Sequence, residues 1–243
     1  MVILEDTRQQ AGKHSIKHEW FRRNGIHIQR YALICGDYQI PGDGSVAIDS
    51  KKDILELIGD IQVSGIAKKD VKAALCDYFG ASESDGRVEA LYSLICDDDS
   101  DRFPEQQISD YCFENNISED IQDKCQDLYV KRHGFFHRGL IRAKQHGVRL
   151  YVLVENRDGV KDINTLFRWV NPRSRIFVNS GQQIGWCKNG KPRYKKVQKY
   201  PHCMQGATLA KACLTMQLKY GVTFVFCRPE EAGERIVKLL GGG

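Results

Sequence analysis

Asp37, Asp49 and Lys51 have the types and spacing to hold a divalent cation beside a phosphate. Between the two aspartates runs Tyr-Gln-Ile-Pro-Gly-Asp-Gly-Ser-Val-Ala-Ile, which reads as two short strands around an Asp43-Gly44 turn. With the bend centred on Asp43, Asp37 falls opposite Asp49. The two Cβ atoms would then stand ~5 Å apart on one face of the hairpin. Lys51 lies two residues beyond Asp49 and points the same way. Carboxylates this close repel, and they call for a cation or a shared proton. The bland alternative is a surface hairpin with solvated charges, and Asp-x-Lys by itself would not displace it.

The surrounding elements are those that such a trio needs. Val2-Ile3-Leu4-Glu5-Asp6-Thr7-Arg8 is an apolar run ending in charge, as in a buried strand that delivers polar groups at its end. A helix is predicted over His14–Asn24, closed by Gly25. A strand over Ile26–Cys35 then enters Gly36-Asp37, and Lys52–Ile61 repeats its apolar residues at helical spacing. Further on, a helix from Phe135 carries Arg138, Arg142 and Lys144 and leads into a strand at Val148–Val154, whose continuous apolar run suits a central, parallel position. A helix at Ala207–Tyr220, a strand at Val222–Cys227 and a helix at Glu230–Leu240 complete the alternation. The expected class is α/β, a mixed sheet flanked by helices.

Asp6-Thr7-Arg8, then Gly36-Asp37, then Asp49-Ser50-Lys51 before an amphipathic helix, resembles the nuclease domain of the XPF family within the PD-(D/E)xK superfamily. The later segments Ile141-Arg142-Ala143-Lys144, Tyr151–Asn156, Trp169–Arg173 and Met216–Cys227 resemble small bacteriophage-type members. The resemblance covers roughly residues 2–63 and 132–240. It implies a restriction-endonuclease-like fold, Mg²⁺ or Mn²⁺ as cofactor, and endonucleolytic hydrolysis of DNA, structure-specific at flaps or junctions. It implies Asp37, Asp49 and Asp6 as metal ligands, with Lys51 completing the catalytic set. The Ser50 carbonyl would be a further ligand and Arg8 a phosphate clamp. A cytoplasmic setting, bacterial or phage-infected, follows from the same likeness. The chain departs from the pattern at Gln9, Asp49, Ser50 and Leu55, where the family has Glu, Glu, Arg and Asp. Glu56, Glu19 and Glu155 are the acids nearest to compensating.

Charge is unevenly spread. Residues 64–130 hold sixteen acids and six Lys/Arg, a net of −10, whereas the rest holds 30 bases and 15 acids, a net of +15. The acidic stretch reads as helical, with apolar faces over Lys68–Phe79, Arg87–Cys96 and Ser118–Arg132 and a capping serine at 118. We therefore expect a nuclease domain of residues 1–63 and 131–243, interrupted by a helical insertion subdomain at 64–130. Asp97-Asp98-Asp99-Ser100-Asp101 lacks the glycine and terminal glutamate of an EF-hand and reads as a solvated loop.

The basic counterpart is Trp186–His202, where Lys188, Lys191, Arg193, Lys195, Lys196 and Lys199 interleave with Trp186, Tyr194 and Tyr200. Asn189-Gly190 signals a tight turn. Cations at this density neutralise phosphates, and the aromatics can stack on unpaired bases. Arg173 and Arg175 extend the patch. DNA is the expected partner, although the residues do not distinguish it from RNA. A second copy of the chain or a protein bound at the acidic insert is a further expectation. A binding protein on a nuclease scaffold is the competing class.

The nine cysteines show no Cys-x-x-Cys spacing and read as reduced, mostly buried side chains. Among them Cys187, Cys203, Cys213 and Cys227, with His202, lack zinc spacing. No run approaches the ~20 apolar residues of a membrane span, and no export signal is read at the start.

Overall fold

The structure is a computed structural model that describes residues 1–9, 15–62, 65–96 and 104–241. Its centre is a six-stranded mixed sheet. In chain order the strands are β1 (Val2–Asp6), β2 (His27–Tyr31), β3 (Tyr38–Ile40), β4 (Asp43–Lys51), β5 (Arg149–Glu155) and, closing the sheet, Thr223–Cys227. Two further strands, β6 (Phe177–Trp186) and β7 (Pro192–Gln198), pair only with each other, so Thr223–Cys227 is β8. The sheet order is β2-β1-β3-β4-β5-β8. β3 runs antiparallel to both β1 and β4; the other pairs are parallel.

The pleat sends alternate residues to opposite sides. Ala47 of β4 and Leu150, Val152 and Val154 of β5 face α2 (Ile54–Gln62), the C-terminal half of α6 (Glu119–Gln145) and α8 (Gly206–Tyr220). Ile48 and Leu153 face α1 (Ser15–Arg23) and α9 (Ala232–Gly241). A sheet clothed on both faces agrees with the expected α/β class, a mixed sheet flanked by helices. α3 (Lys68–Phe79), α4 (Gly86–Cys96), α5 (Pro104–Glu114) and the start of α6 share a separate apolar cluster that includes Leu75, Leu91, Ile108 and Cys125. α7 (Ile163–Phe167) is a short helix before β6.

Several local expectations are corrected. The hairpin turn is Pro41-Gly42, not Asp43-Gly44, because Gly42 takes φ +78° after a proline, the geometry of a type II turn. An irregularity between Tyr38 and Ile40 offsets the displaced bend, so Tyr38 still pairs with Ile48. The strand expected over Ile26–Cys35 ends at Tyr31 and pairs with β1 at the sheet edge, so it does not lead directly into the hairpin. The two helices expected before and after residue 134 are both present within the α6 span, which is broken where Gly134 leaves helical geometry at φ +61° and ψ 168°. Ser118 stands at the N-cap of α6 but makes no side-chain cap. The acidic loop 97–101 and the first residue of the His14–Asn24 helix lie outside the described residues. Among the described residues no helix is long and apolar enough to cross a membrane.

Candidate active site

Gly36 lets the chain approach β4. It takes φ +72°, and a Cβ there would sit 3.0 Å from the Ile48 carbonyl oxygen and 3.1 Å from the Ala47 Cβ. Both constraints select glycine. The close approach allows the Asp37 backbone N–H to donate to the Ile48 carbonyl at 2.6 Å. The Asp37 carboxylate then turns to the end of β4, where its Oδ2 accepts from the Ser50 N–H at 2.7 Å and the Ser50 hydroxyl at 3.0 Å. Burial first, and the neighbouring Asp49 charge second, push the Asp37 carboxyl up to about 7. A carboxyl taken out of water beside a second acid behaves in this way.

Asp49 lies on the α6 side of β4 and lines the same cleft as Asp37. Lys51 Nζ stands 2.8 Å from Asp49 Oδ1 and 2.8 Å from Asp60 Oδ2 on α2, and 4.7 Å from the centre of the Phe136 ring. Burial alone would push the Lys51 ammonium down, but Asp49 and Asp60 outweigh it and hold its pKa above the ordinary value. Two of its three N–H donors are engaged by carboxylates.

Asp6 also lines this cleft, yet its oxygens are occupied. Oδ1 accepts from the Arg8 backbone N–H at 2.7 Å and Nε at 2.8 Å, Oδ2 pairs with Arg8 Nη2, and the Leu33 N–H donates to Oδ2 at 3.3 Å. Burial raises the Asp6 carboxyl, but the Arg8 guanidinium overrides this and keeps it below the usual carboxylate range. Arg8 is thereby fixed at the cleft, donating also to the Leu33 carbonyl at 2.7 Å. From α6 comes Arg142, which lines the cleft and whose buried Nε has no hydrogen-bond partner among the described residues. Burial, then the like charges of Arg8 and Arg138, push its pKa down.

On the opposite face of the sheet Lys17, only 1% exposed, donates to the Ser50 hydroxyl at 3.2 Å and to Glu155 Oε1 at 2.5 Å. Burial holds the Glu155 carboxyl above its ordinary value. Neither suggested compensating acid on that side reaches the cleft: Glu155 is committed to Lys17, and Glu19 pairs with Arg22 and Arg23 on the surface. Glu56 instead accepts from the Lys52 backbone N–H at 2.7 Å, over the start of α2.

The structure thus brings Asp6, Arg8, Asp37 and Asp49 to one cleft, with Lys51 directly behind Asp49. It does not bring Arg173, Lys188, Lys191, Arg193, Lys195, Lys196 or Lys199 there. Arg173 sits in a 3-10 turn at Pro172–Arg175, and the lysines and Arg193 lie on the β6–β7 ribbon and its flanks. Asp60, Phe136 and Arg142 are the residues that sequence reasoning missed. Asp60 stands four residues after Glu56 on the same side of α2, a spacing that can be read in the sequence.

Among the described residues no group of three or more His, Cys, Asp or Glu side chains is placed to hold a metal. The donors at the cleft are two carboxylates in a space of about 110 Å³. That donor set fits Mg²⁺, which takes one or two carboxylates and completes its shell with water and phosphate oxygens.

No protein family matches the sequence, and no curated protein does. Among solved structures, XPF from Aeropyrum pernix is similar at 12% identity with a TM-score of 0.40. A second structure of that protein, in complex with DNA, is similar at 13% identity with a TM-score of 0.39. Each comparison covers 99% of this chain and 63% of the other, so the chain spans less than two thirds of those proteins. Nothing about activity follows from a likeness this slight.

Proposed function

We propose that the chain is a Mg²⁺- or Mn²⁺-dependent endodeoxyribonuclease, with Asp37 and Asp49 as its metal-binding pair. The observation that carries this reading is the buried Asp37 carboxylate beside Asp49 in a cleft that also presents Arg8 and Arg142. A cation bound by the two aspartates would lower the pKa of a water and neutralise charge on the scissile phosphate. The chain's own groups do the positioning. Gly36 and Ser50 fix Asp37, while Lys51 and Asp60 fix Asp49 and place a positive charge behind it. Asp6 acts by orienting Arg8, and Arg8 and Arg142 offer guanidinium N–H groups to phosphate oxygens. Lys188, Lys191, Arg193, Lys195, Lys196, Lys199 and Arg173 form a second, more distant phosphate-contacting surface.

Residues 64–130 are, in this reading, an inserted subdomain. The separate apolar cluster of α3, α4, α5 and early α6 supports that division. The second reading, a nucleic-acid binder without cleavage, draws on the commitment of Asp6 to Arg8, which leaves two acids rather than three. Incubating the protein with end-labelled duplex, flap, four-way junction and RNA, in Mg²⁺, Mn²⁺ or EDTA, separates the two. Metal-dependent internal cuts in DNA support the enzyme. Retention of every substrate uncut, with binding, assigns the binder instead.

A further inference from the structure

The β6–β7 ribbon is built unlike the rest of the molecule. Neither strand pairs with the six-stranded sheet, and Ile176, Phe177, Val178, Ile184, Trp186 and Val197 are all exposed on or beside it. A two-stranded ribbon left alone is marginally stable, and exposed apolar side chains at this density mark a binding surface. Between Asp162 and Glu230 the sequence has no Asp or Glu and twelve Lys/Arg, so the complementary ligand is a polyanion.

The register sorts these side chains by face. Trp186 pairs with Pro192, Gln183 with Tyr194, Asn179 with Lys196 and Phe177 with Gln198. Strand alternation along β7 places Pro192, Tyr194, Lys196 and Gln198 on one face, so their partners share it. That face carries three aromatic rings with amides between them. Arg193, Lys195 and Val197 take the other, with Gly185 and Val178 opposite Arg193 and Val197. Trp186 is 70% exposed and Phe177 57%, so their ring faces are accessible to stack.

We propose that this ribbon is a binding site for unpaired nucleotides. Bases stack on Trp186, Tyr194 and Phe177, Asn179 and Gln183 read base edges, and Lys196 on the same face holds the phosphate backbone. A base inside a duplex is already stacked on both sides and offers only its edge, so an exposed ring gains a partner only where a base is unstacked. The spacing agrees. Successive rungs on one face lie ~7 Å apart along a strand, about twice the 3.4 Å step of stacked duplex bases. This inference deepens the reading of the chain as a DNA enzyme by naming the part of the substrate the ribbon takes. It is tested by binding alone.

The experiment is fluorescence anisotropy in EDTA with labelled oligothymidylate, a blunt duplex of the same length and a gapped duplex. The wild type binds the single strand and the gap more tightly than the blunt duplex. Trp186→Ala lowers affinity for both roughly tenfold and leaves the blunt duplex nearly unchanged, whereas Trp186→Phe retains most of the affinity. Lys196→Glu weakens all three ligands and lowers the salt slope by about one. Quenching of indole emission on oligothymidylate, absent in Trp186→Phe, reports the stack itself. Equal loss on duplex and single strand, or no loss, overturns the proposal. So does a self-association that Trp186→Ala abolishes, which would give the exposed face to a second copy. Either failure leaves duplex cleavage by the Asp37–Asp49 site standing, because that is read separately in Mg²⁺.

Discussion

At the scale of single residues the site is a balance of buried charge. The Asp37 carboxyl has a folded-state pKa of about 7, above its ordinary 3.8. A raised acid binds its proton more readily in the folded state, so stability is lost as pH rises from the lower value through the higher one. In EDTA, Asp37→Asn removes this penalty while keeping an oxygen for the Ser50 N–H. The variant should therefore gain thermal stability over the wild type at pH 8 and not at pH 4, by differential scanning calorimetry. A higher melting temperature of the wild type at pH 8 would contradict the buried-charge account. Lys51→Ala and Asp49→Asn should each lower metal-dependent cleavage by at least about a hundredfold with DNA affinity largely kept, because each removes a charge from the reacting centre. Normal rates in either variant would remove the assignment. The Asp37, Asp49 and Lys51 trio was legible because strand alternation is a short-range rule. The occupation of Asp6 by Arg8 was not, since it depends on how the Leu33 backbone folds over both.

At the scale of elements, the hairpin shows what local pattern can and cannot specify. The turn was misplaced because two Gly-containing signals, Pro41-Gly42 and Asp43-Gly44, sit side by side, and only the first supplies both a fixed φ and a glycine at the following position. The pairing of Tyr38 with Ile48 survived because burial of alternate residues on two faces fixes register more strongly than turn type does. Gly36 makes the corresponding demand on backbone geometry. Gly36→Ala should destabilise the fold by roughly 1–3 kcal/mol, measured by urea denaturation, since it combines a left-handed φ with a clash at the Ile48 carbonyl. An unchanged midpoint would show that the approach of Asp37 to β4 is not tight. The ribbon was legible as basic and turn-forming, but its separation from the sheet was not. Nothing in its alternation says whether a strand pair joins a larger sheet.

At the scale of the whole molecule, a basic body carries an acidic helical cluster with its own core. If residues 64–130 are a subdomain, heat should unfold the chain in two transitions, and Leu91→Ala should lower one of them by about 2–5 kcal/mol of stability. Mn²⁺ should raise only the other. A single transition moved by both would merge the two units. Lys195→Glu with Lys196→Glu should weaken DNA binding and lower the salt slope by about two, as expected for two phosphate contacts. An unchanged slope would free the ribbon from the backbone. The charge division itself was plain in the sequence, because it is additive. So was the break at Gly134, because the helices on either side of it read as two.

The cleavage assignment rests on two carboxylates gripping one divalent ion, and titration of Mn²⁺ by electron paramagnetic resonance reads that directly. The wild type should take up one Mn²⁺ per chain, with the free-ion signal restored when Mg²⁺ is added in excess and uptake abolished in both Asp37→Asn and Asp49→Asn. Uptake that is absent from the wild type, or undiminished in the two variants, would contradict it.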